Sequence, residues 1–133
     1  MEVRRMLKFC AAHRLLGYNG ACSRLHGHNY RVEVTIAGES LNDLEMLVDF
    51  RDIKRKLQGW LDANWDHRTI LNKADPLARM LDKAVPGDAV VLGKNPTAEH
   101  MADVLLDVFS KTMSRVASVA VWETDDSCAI QHK

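Results

Sequence analysis

Residues 26–36 alternate without a break. His26, His28, Tyr30, Val32, Val34 and Ile36 share one parity, and Asn29, Arg31, Glu33 and Thr35 share the other. A helix with 3.6 residues per turn would scatter that pattern around its circumference, whereas a strand puts side chains two apart on the same face. The alternation therefore predicts a half-buried strand. Its covered face carries two imidazoles at the strand entrance, followed by an apolar run. Gly27 between the histidines leaves room for close approach of backbone or ligand. The preceding run, Met6–Arg14, has the same period, with Leu7, Phe9, Ala11 and His13 alternating with Lys8, Cys10 and Ala12. If the two strands pair antiparallel, His13 comes near His26 and His28. Imidazoles are borderline nitrogen ligands suited to zinc, and three of them with an open position form a catalytic rather than a structural pattern. Hydrogen-bonded histidines at strand ends would give the same spacing, so the residues alone leave both readings standing.

The remaining elements follow from periodicity and punctuation. Strands are predicted over 3–13 and 27–37, joined by a loop of small and polar residues that carries Cys22. A turn region at 38–44 and a short extended piece at Met46–Val48 come next. Asp49 is a candidate N-cap for a helix whose apolar stripe is Phe50, Ile53, Leu57, Trp60 and Leu61. Residues 64–74 read as irregular. Asp75-Pro76 opens a short helix with Leu77, Met80 and Leu81 as its buried side, and Pro86-Gly87 ends it. Ala89–Leu92 reads as extended. Thr97 caps a second long helix with Glu99 in its first turn and Met101, Val104, Leu105, Val108 and Met113 on its apolar face. Residues 115–123 alternate again, Asp125-Asp126-Ser127 turns, and 128–131 makes a last strand. The expected fold is α+β, an antiparallel four-stranded sheet with two main helices on one face (ββααββ). The other sheet face keeps apolar side chains, which predicts that a second subunit covers it.

At 133 residues the chain is expected to be a single domain, 1–133. Its 18 basic and 18 acidic residues balance, leaving no electrostatic footprint for nucleic acid or an anionic membrane. With no long apolar run and no signal-peptide layout, the expected location is the cytoplasm. Cys10, Cys22 and Cys128 are odd in number and far apart, as free thiols of a reducing compartment are.

Candidates for proton transfer are Cys22, the pair Asp66-His67, and Glu123. A thiol becomes a base or nucleophile beside a metal, His or Arg, and Arg24 is close to Cys22 in sequence. From the residues alone, an inert small hydrophobe is the commoner reading of Cys22. Asp66 could orient the His67 ring, although a solvated loop pair is also open. Glu123 ends a strand whose parity is apolar, where a carboxylate needs a partner; a guanidine-like ligand edge would bring two donors at once. His100 and His132 read as surface residues.

Five pieces in order carry a resemblance to a known family: Phe9-Cys10-Ala11-Ala12-His13, Cys22 through Tyr30, Val48-Asp49-Phe50, Asp66-His67 with Leu71-Asn72, and Pro96-Thr97-Ala98-Glu99 with Trp122-Glu123-Thr124. Together they resemble the 6-pyruvoyl-tetrahydropterin synthase family. The three residues between Cys22 and His26 resemble its bacterial branch, the 6-carboxy-tetrahydropterin synthases of queuosine biosynthesis. The resemblance implies a tunnelling fold (T-fold), trimers stacked into homohexamers, and active sites at subunit interfaces. It implies His13, His26 and His28 as Zn2+ ligands, Cys22 as proton acceptor, and Asp66 and His67 as relay partners. Glu123 is implied to anchor the pterin ring and to join the relay, with Thr97 and Glu99 as further ring contacts. The implied reaction is a zinc-dependent lyase step on 7,8-dihydroneopterin triphosphate. Triphosphate elimination alone, giving the 6-pyruvoyl product, and a non-catalytic zinc- and pterin-binding assembly protein are the alternatives. The chain departs from the family in having Cys10 where Ser or a similar small residue is usual, His100 where Asn is common, and Ala63-Asn64-Trp65 before Asp66.

Overall fold

The structure, a computed structural model, describes residues 1–133. The two strands with the clearest alternation form the centre of the sheet. β1 (Glu2–His13) and β2 (His26–Ala37) pair antiparallel over their full length, with His13 opposite His26 and Ala11 opposite His28. β5 (Val116–Trp122) pairs antiparallel with β2, with a register shift at Thr35/Ile36, and β6 (Cys128–His132) pairs with β5.

The expected class holds, but the sheet has six strands rather than four, and it is mixed rather than antiparallel. Its order is β4-β3-β1-β2-β5-β6. β3 (Arg68–Asn72) runs parallel to β1, and β4 (Ala89–Leu92) runs parallel to β3. β3 lies inside the stretch expected to be irregular. Its middle residues Thr69, Ile70 and Leu71 are all buried, so both faces are covered and no alternation marks it, as is usual for parallel strands. The extended piece expected at Met46–Val48 is instead part of a loop closed by Asn42, whose side-chain oxygen accepts from Leu44 and Met46.

The helices pack on the face that carries the histidines. α1 (Phe50–Ile53), a π-helical stretch (Lys54–Gln58) and α2 (Gly59–Asn64) run continuously. Asp49 caps the start by accepting from Arg51 N–H. Ile53, Leu57 and Leu61 from this helix pack with Met101, Leu105 and Phe109 of α4 (Ala98–Thr112) against Tyr30, Val32, Val34 and Ile36. Phe50, expected in the stripe, sits at the helix mouth and is 47% exposed. The short helix α3 (Pro76–Ala84) buries Ala78, while Met80 is 65% exposed and Leu77 and Leu81 are half-buried. The helix is a thin cover over the β3–β4 edge, and only its smallest apolar residue reaches the core.

Three polar ties hold the loops at the histidine end of the sheet. The Arg14 guanidinium donates to both oxygens of Asp75 at 2.7 and 2.5 Å, and Asp75 also caps α3 by accepting from Leu77 N–H. Asn95 accepts from Leu16 N–H and donates to the Leu16 carbonyl. Leu15 N–H donates to the Cys22 carbonyl at 2.8 Å. The loop that carries Cys22 is thereby fixed to β1 and to the segment that opens α4.

Candidate metal centre and active-site cavity

His13 and His26 are cross-strand partners at the end of the β1–β2 ladder, and His28 lies two residues further along the same face. Strand parity fixes the direction of all three rings, and candidate ligand atoms from each lie within 4.8 Å of one another. Gly27 is needed between them, because a Cβ there would stand 3.0 Å from the Ala11 carbonyl oxygen.

The hydrogen bonds behind the rings decide which nitrogen faces inward. His13 Nδ1 lies 2.9 Å from the Pro96 carbonyl oxygen and His26 Nδ1 lies 2.7 Å from the Arg24 carbonyl oxygen. A carbonyl only accepts, so each Nδ1 carries the proton and each Nε2 is left with a bare lone pair. Those two Nε2 atoms face each other at 3.1 Å, and the Nε2 of His28 is buried with no partner. Two lone pairs aimed at each other and a third orphaned nearby are unfavourable unless a cation sits among them. In a tetrahedral site with ligand bonds of 2.0–2.1 Å, two nitrogens stand roughly 3.3 Å apart. The carbonyls behind the rings are the outer partners that ligating histidines usually have. The three residues therefore fit a metal ion. Burial, reinforced by the neighbouring His26 and His28 and opposed by the Pro96 bond, lowers His13 to a pKa of about 4. Burial and His26 lower His28 as well. Both stay neutral and ligand-ready near pH 7.

Cys22, Thr97, Glu99 and Glu123 line a cavity of about 330 Å3 with Tyr18 and Cys128, and the Glu123 carboxylate is close enough to His26 for the two to interact electrostatically. Cys22 sits in a 3-10 turn (Ala21–Ser23). Thr97 spends its side-chain oxygen as the N-cap of α4, accepting from His100 N–H. Burial and the nearby Glu99 raise the Glu123 carboxyl pKa, with His26 opposing. Tyr30 is fully buried, stacks on Phe9 at 4.8 Å, and has an unpartnered hydroxyl. Burial, Glu123 and Cys22 raise its pKa, so the hydroxyl is a neutral donor beside the cavity. Sequence reading placed Tyr30 in the core and missed this hydroxyl; its one signal was the shared parity with His26 and His28.

Asp66 and His67 stand elsewhere. Within one chain they lie with Cys10, whose parity on β1 is opposite to that of His13. The structure thus brings Cys22, Thr97, Glu99 and Glu123 to one cavity, while Asp66 shares a second cavity of about 720 Å3 with Cys10, Tyr30 and Glu123. The pair itself is bonded, with His67 Nδ1 2.7 Å from Asp66 Oδ2. Such a bond between neighbours needs an unusual backbone, and His67 has φ +57°. Burial works to raise the Asp66 pKa, but bonds from Cys10 N–H and His67 together hold it below its ordinary value. A groove of about 400 Å3 beside this pair is lined by His28, Asn29, Cys10 and His67. His100, expected at the surface, is half-buried and its Nε2 has no partner.

The 6-pyruvoyl tetrahydropterin synthase family model matches residues 2–133. A 6-carboxy-5,6,7,8-tetrahydropterin synthase of Rickettsia bellii is 34% identical over 126 residues, covering 90% of this chain and 91% of the relative. A probable 6-carboxy-5,6,7,8-tetrahydropterin synthase of Halobacterium salinarum is 42% identical over 125 residues, covering 90% of this chain and 79% of the relative. Among solved structures, an uncharacterised protein of Wolinella succinogenes superposes with a TM-score of 0.86 at 22% identity, covering 100% of this chain and 98% of that one. The 6-pyruvoyl tetrahydropterin synthase of Caenorhabditis elegans superposes with a TM-score of 0.75 at 24% identity, covering 100% and 95%. The fold, the histidine cluster and the full-length match agree: this chain belongs to the 6-pyruvoyl tetrahydropterin synthase family.

Proposed function

We propose that the chain is a zinc-dependent lyase that converts 7,8-dihydroneopterin triphosphate to 6-carboxy-5,6,7,8-tetrahydropterin, acetaldehyde and triphosphate, in the cytoplasmic route to queuosine and related 7-deazapurines. The relatives at 30–42% identity that carry the 6-carboxy name support the product. The observation that carries the catalytic reading is the pair of bare imidazole nitrogens of His13 and His26 facing each other, with the buried, unpartnered Nε2 of His28 nearby and a cavity lined by a thiol and two carboxylates close to them.

His13, His26 and His28 would hold the ion. When bound, it would polarise and acidify the side-chain hydroxyls of the substrate. Glu123, whose burial makes an unpaired charge costly, would take the two N–H donors along the guanidine-like edge of the pterin ring, with Thr97 and Glu99 at the same end. Cys22 would accept the proton from the carbon next to the ring, and His67, oriented by Asp66, would return one. Triphosphate would leave, and a carbon–carbon cleavage with uptake of one water, whose oxygen completes the carboxylate, would release acetaldehyde. In a single chain Asp66-His67 lies across the sheet from Cys22, so the reading requires a second subunit to supply the pair. A homohexamer built as a dimer of trimers meets that need. No helix is long and apolar enough to cross a membrane, and Cys10, Cys22 and Cys128 are free.

The test is to incubate the zinc-loaded protein with dihydroneopterin triphosphate, with and without chelator, and to identify the products by mass. The expected result is 6-carboxy-tetrahydropterin with acetaldehyde, lost on chelation. Intact substrate with zinc-loaded protein overturns the reading, and a 6-pyruvoyl product without acetaldehyde moves it to simple elimination.

A further inference from the structure

We propose that Cys10, Asp66 and His67 form a second metal site, for a borderline or soft divalent cation, on the sheet face opposite the three histidines. A thiol, an imidazole and a carboxylate present ligand atoms within 4.8 Å of one another there. Cys10 Sγ lies 3.6 Å from both ring nitrogens of His67. Equal distances mean that the thiol is aimed along neither nitrogen's lone pair, so no directed hydrogen bond uses it. The separation still suits joint coordination: sulfur at 2.3 Å and nitrogen at 2.0–2.1 Å from a tetrahedral ion stand roughly 3.6 Å apart.

The third ligand comes from the bond between His67 Nδ1 and Asp66 Oδ2 at 2.7 Å. A cation can take the place of the proton in that bond. The ring is 79% exposed at its side chain and free to turn by the roughly 0.6 Å that opens this pair to the separation of two ligands on a tetrahedral ion. The displaced imidazole proton moves to Nε2, and the thiol proton goes to solvent, leaving a thiolate on the ion. Uptake therefore releases protons and weakens as pH falls. A mixed S, N, O set of this kind selects zinc-like ions over magnesium or calcium.

The main chain holds the three residues in place. Cys10 N–H donates to Asp66 Oδ1 at 2.9 Å, and His67 N–H donates to the Cys10 carbonyl at 2.7 Å. The nearest cation in the groove, Arg68, spends its guanidinium on the carbonyls of Gly87 and Ala63. Cys10 points away from the face that His13 occupies, so the ligand set is distinct from that of the three-histidine centre, although His28 lines the same groove. Its consequence for turnover rests on the function proposed above: an ion held here would occupy the His67 ring and inhibit proton return.

The experiment titrates metal-free protein with Co2+ and follows both bound equivalents and the thiolate-to-cobalt charge-transfer absorbance. Wild type is expected to take up a second equivalent per chain, with that band. The band should persist in Cys22→Ser and disappear together with the second equivalent in Cys10→Ser. Asp66→Asn should weaken the second equivalent by about tenfold or more. A wild type that stops at the first equivalent overturns the proposal, as does a band lost in Cys22→Ser but kept in Cys10→Ser. Both readouts follow metal rather than turnover, so loss of the second equivalent alone leaves the lyase reading intact.

Discussion

Each of the three histidines contributes differently to the centre. His13 is 2% exposed and its ring is held at the Pro96 carbonyl, so His13→Ala is expected to remove one equivalent of bound metal per chain, measured by atomic absorption after dialysis, and to leave the equivalent at Cys10, Asp66 and His67 in place. His28 lacks an outer partner and should lose affinity without loss of fold. Cys22→Ala should keep metal and fold yet lower kcat by roughly a hundredfold or more, the usual worth of a positioned base. A variant with full kcat would remove Cys22 from the mechanism. Glu123→Gln should raise KM while metal content stays unchanged, because the carboxylate lines the cavity away from the ligand set. The three histidines were legible in sequence because strand parity fixes them, and Glu123 because it stands at the end of a strand of apolar parity, whereas Cys22 lies in a loop and was singled out by the family resemblance. Cys10 was not legible. It gains meaning only from Asp66 and His67, and these reach it because His67 adopts a left-handed backbone at the start of a strand that alternation does not mark.

At the scale of the element, β1, β2 and the two long helices were readable, since each has one wet face and one dry face. β3 was hidden by being buried on both sides, and the exposure of Met80 on α3 was hidden because amphipathic spacing does not tell how much core lies beneath. The Arg14–Asp75 tie joins β1 to the cap of α3, and the Asp75 side chain has no exposed surface. Asp75→Asn keeps an N-cap acceptor but breaks the partly exposed ion pair with Arg14, and is expected to cost about 2–3 kcal/mol. The hydrogen bond from Arg14 leads the effects that lower the Asp75 pKa. The carboxyl is therefore harder to protonate in the folded state than in the unfolded one. Its stabilisation is full above the ordinary value of about 3.9 and is lost as pH falls through the lowered folded value. Urea midpoints against pH should show wild type and variant converging on the acid side. Leu105→Ala, under the sheet centre, should cost about 2–5 kcal/mol and leave metal uptake unchanged.

For the whole molecule, the mixed six-stranded sheet puts two sets of chemistry on opposite faces of one layer. Composition and periodicity gave the covered face and the helices, but the topology at the β3–β4 edge depends on pairings between distant segments that no local pattern records. If the active site is shared between subunits, two inactive variants should complement each other. Mixing Cys22→Ala with His67→Ala under conditions that exchange subunits is expected to restore activity that neither shows alone, and failure after proven exchange would argue for a site within one chain. One feature of the metal centre bears on how such a chain can vary. The acceptors behind His13 and His26 are main-chain carbonyls of Pro96 and Arg24. No side-chain replacement deletes a carbonyl, so the tautomers of both rings are inherited from the path of the backbone. Substitutions at 24 and 96 that preserve that path should leave ion affinity untouched, and sequence drift there is silent for as long as the loops keep their course.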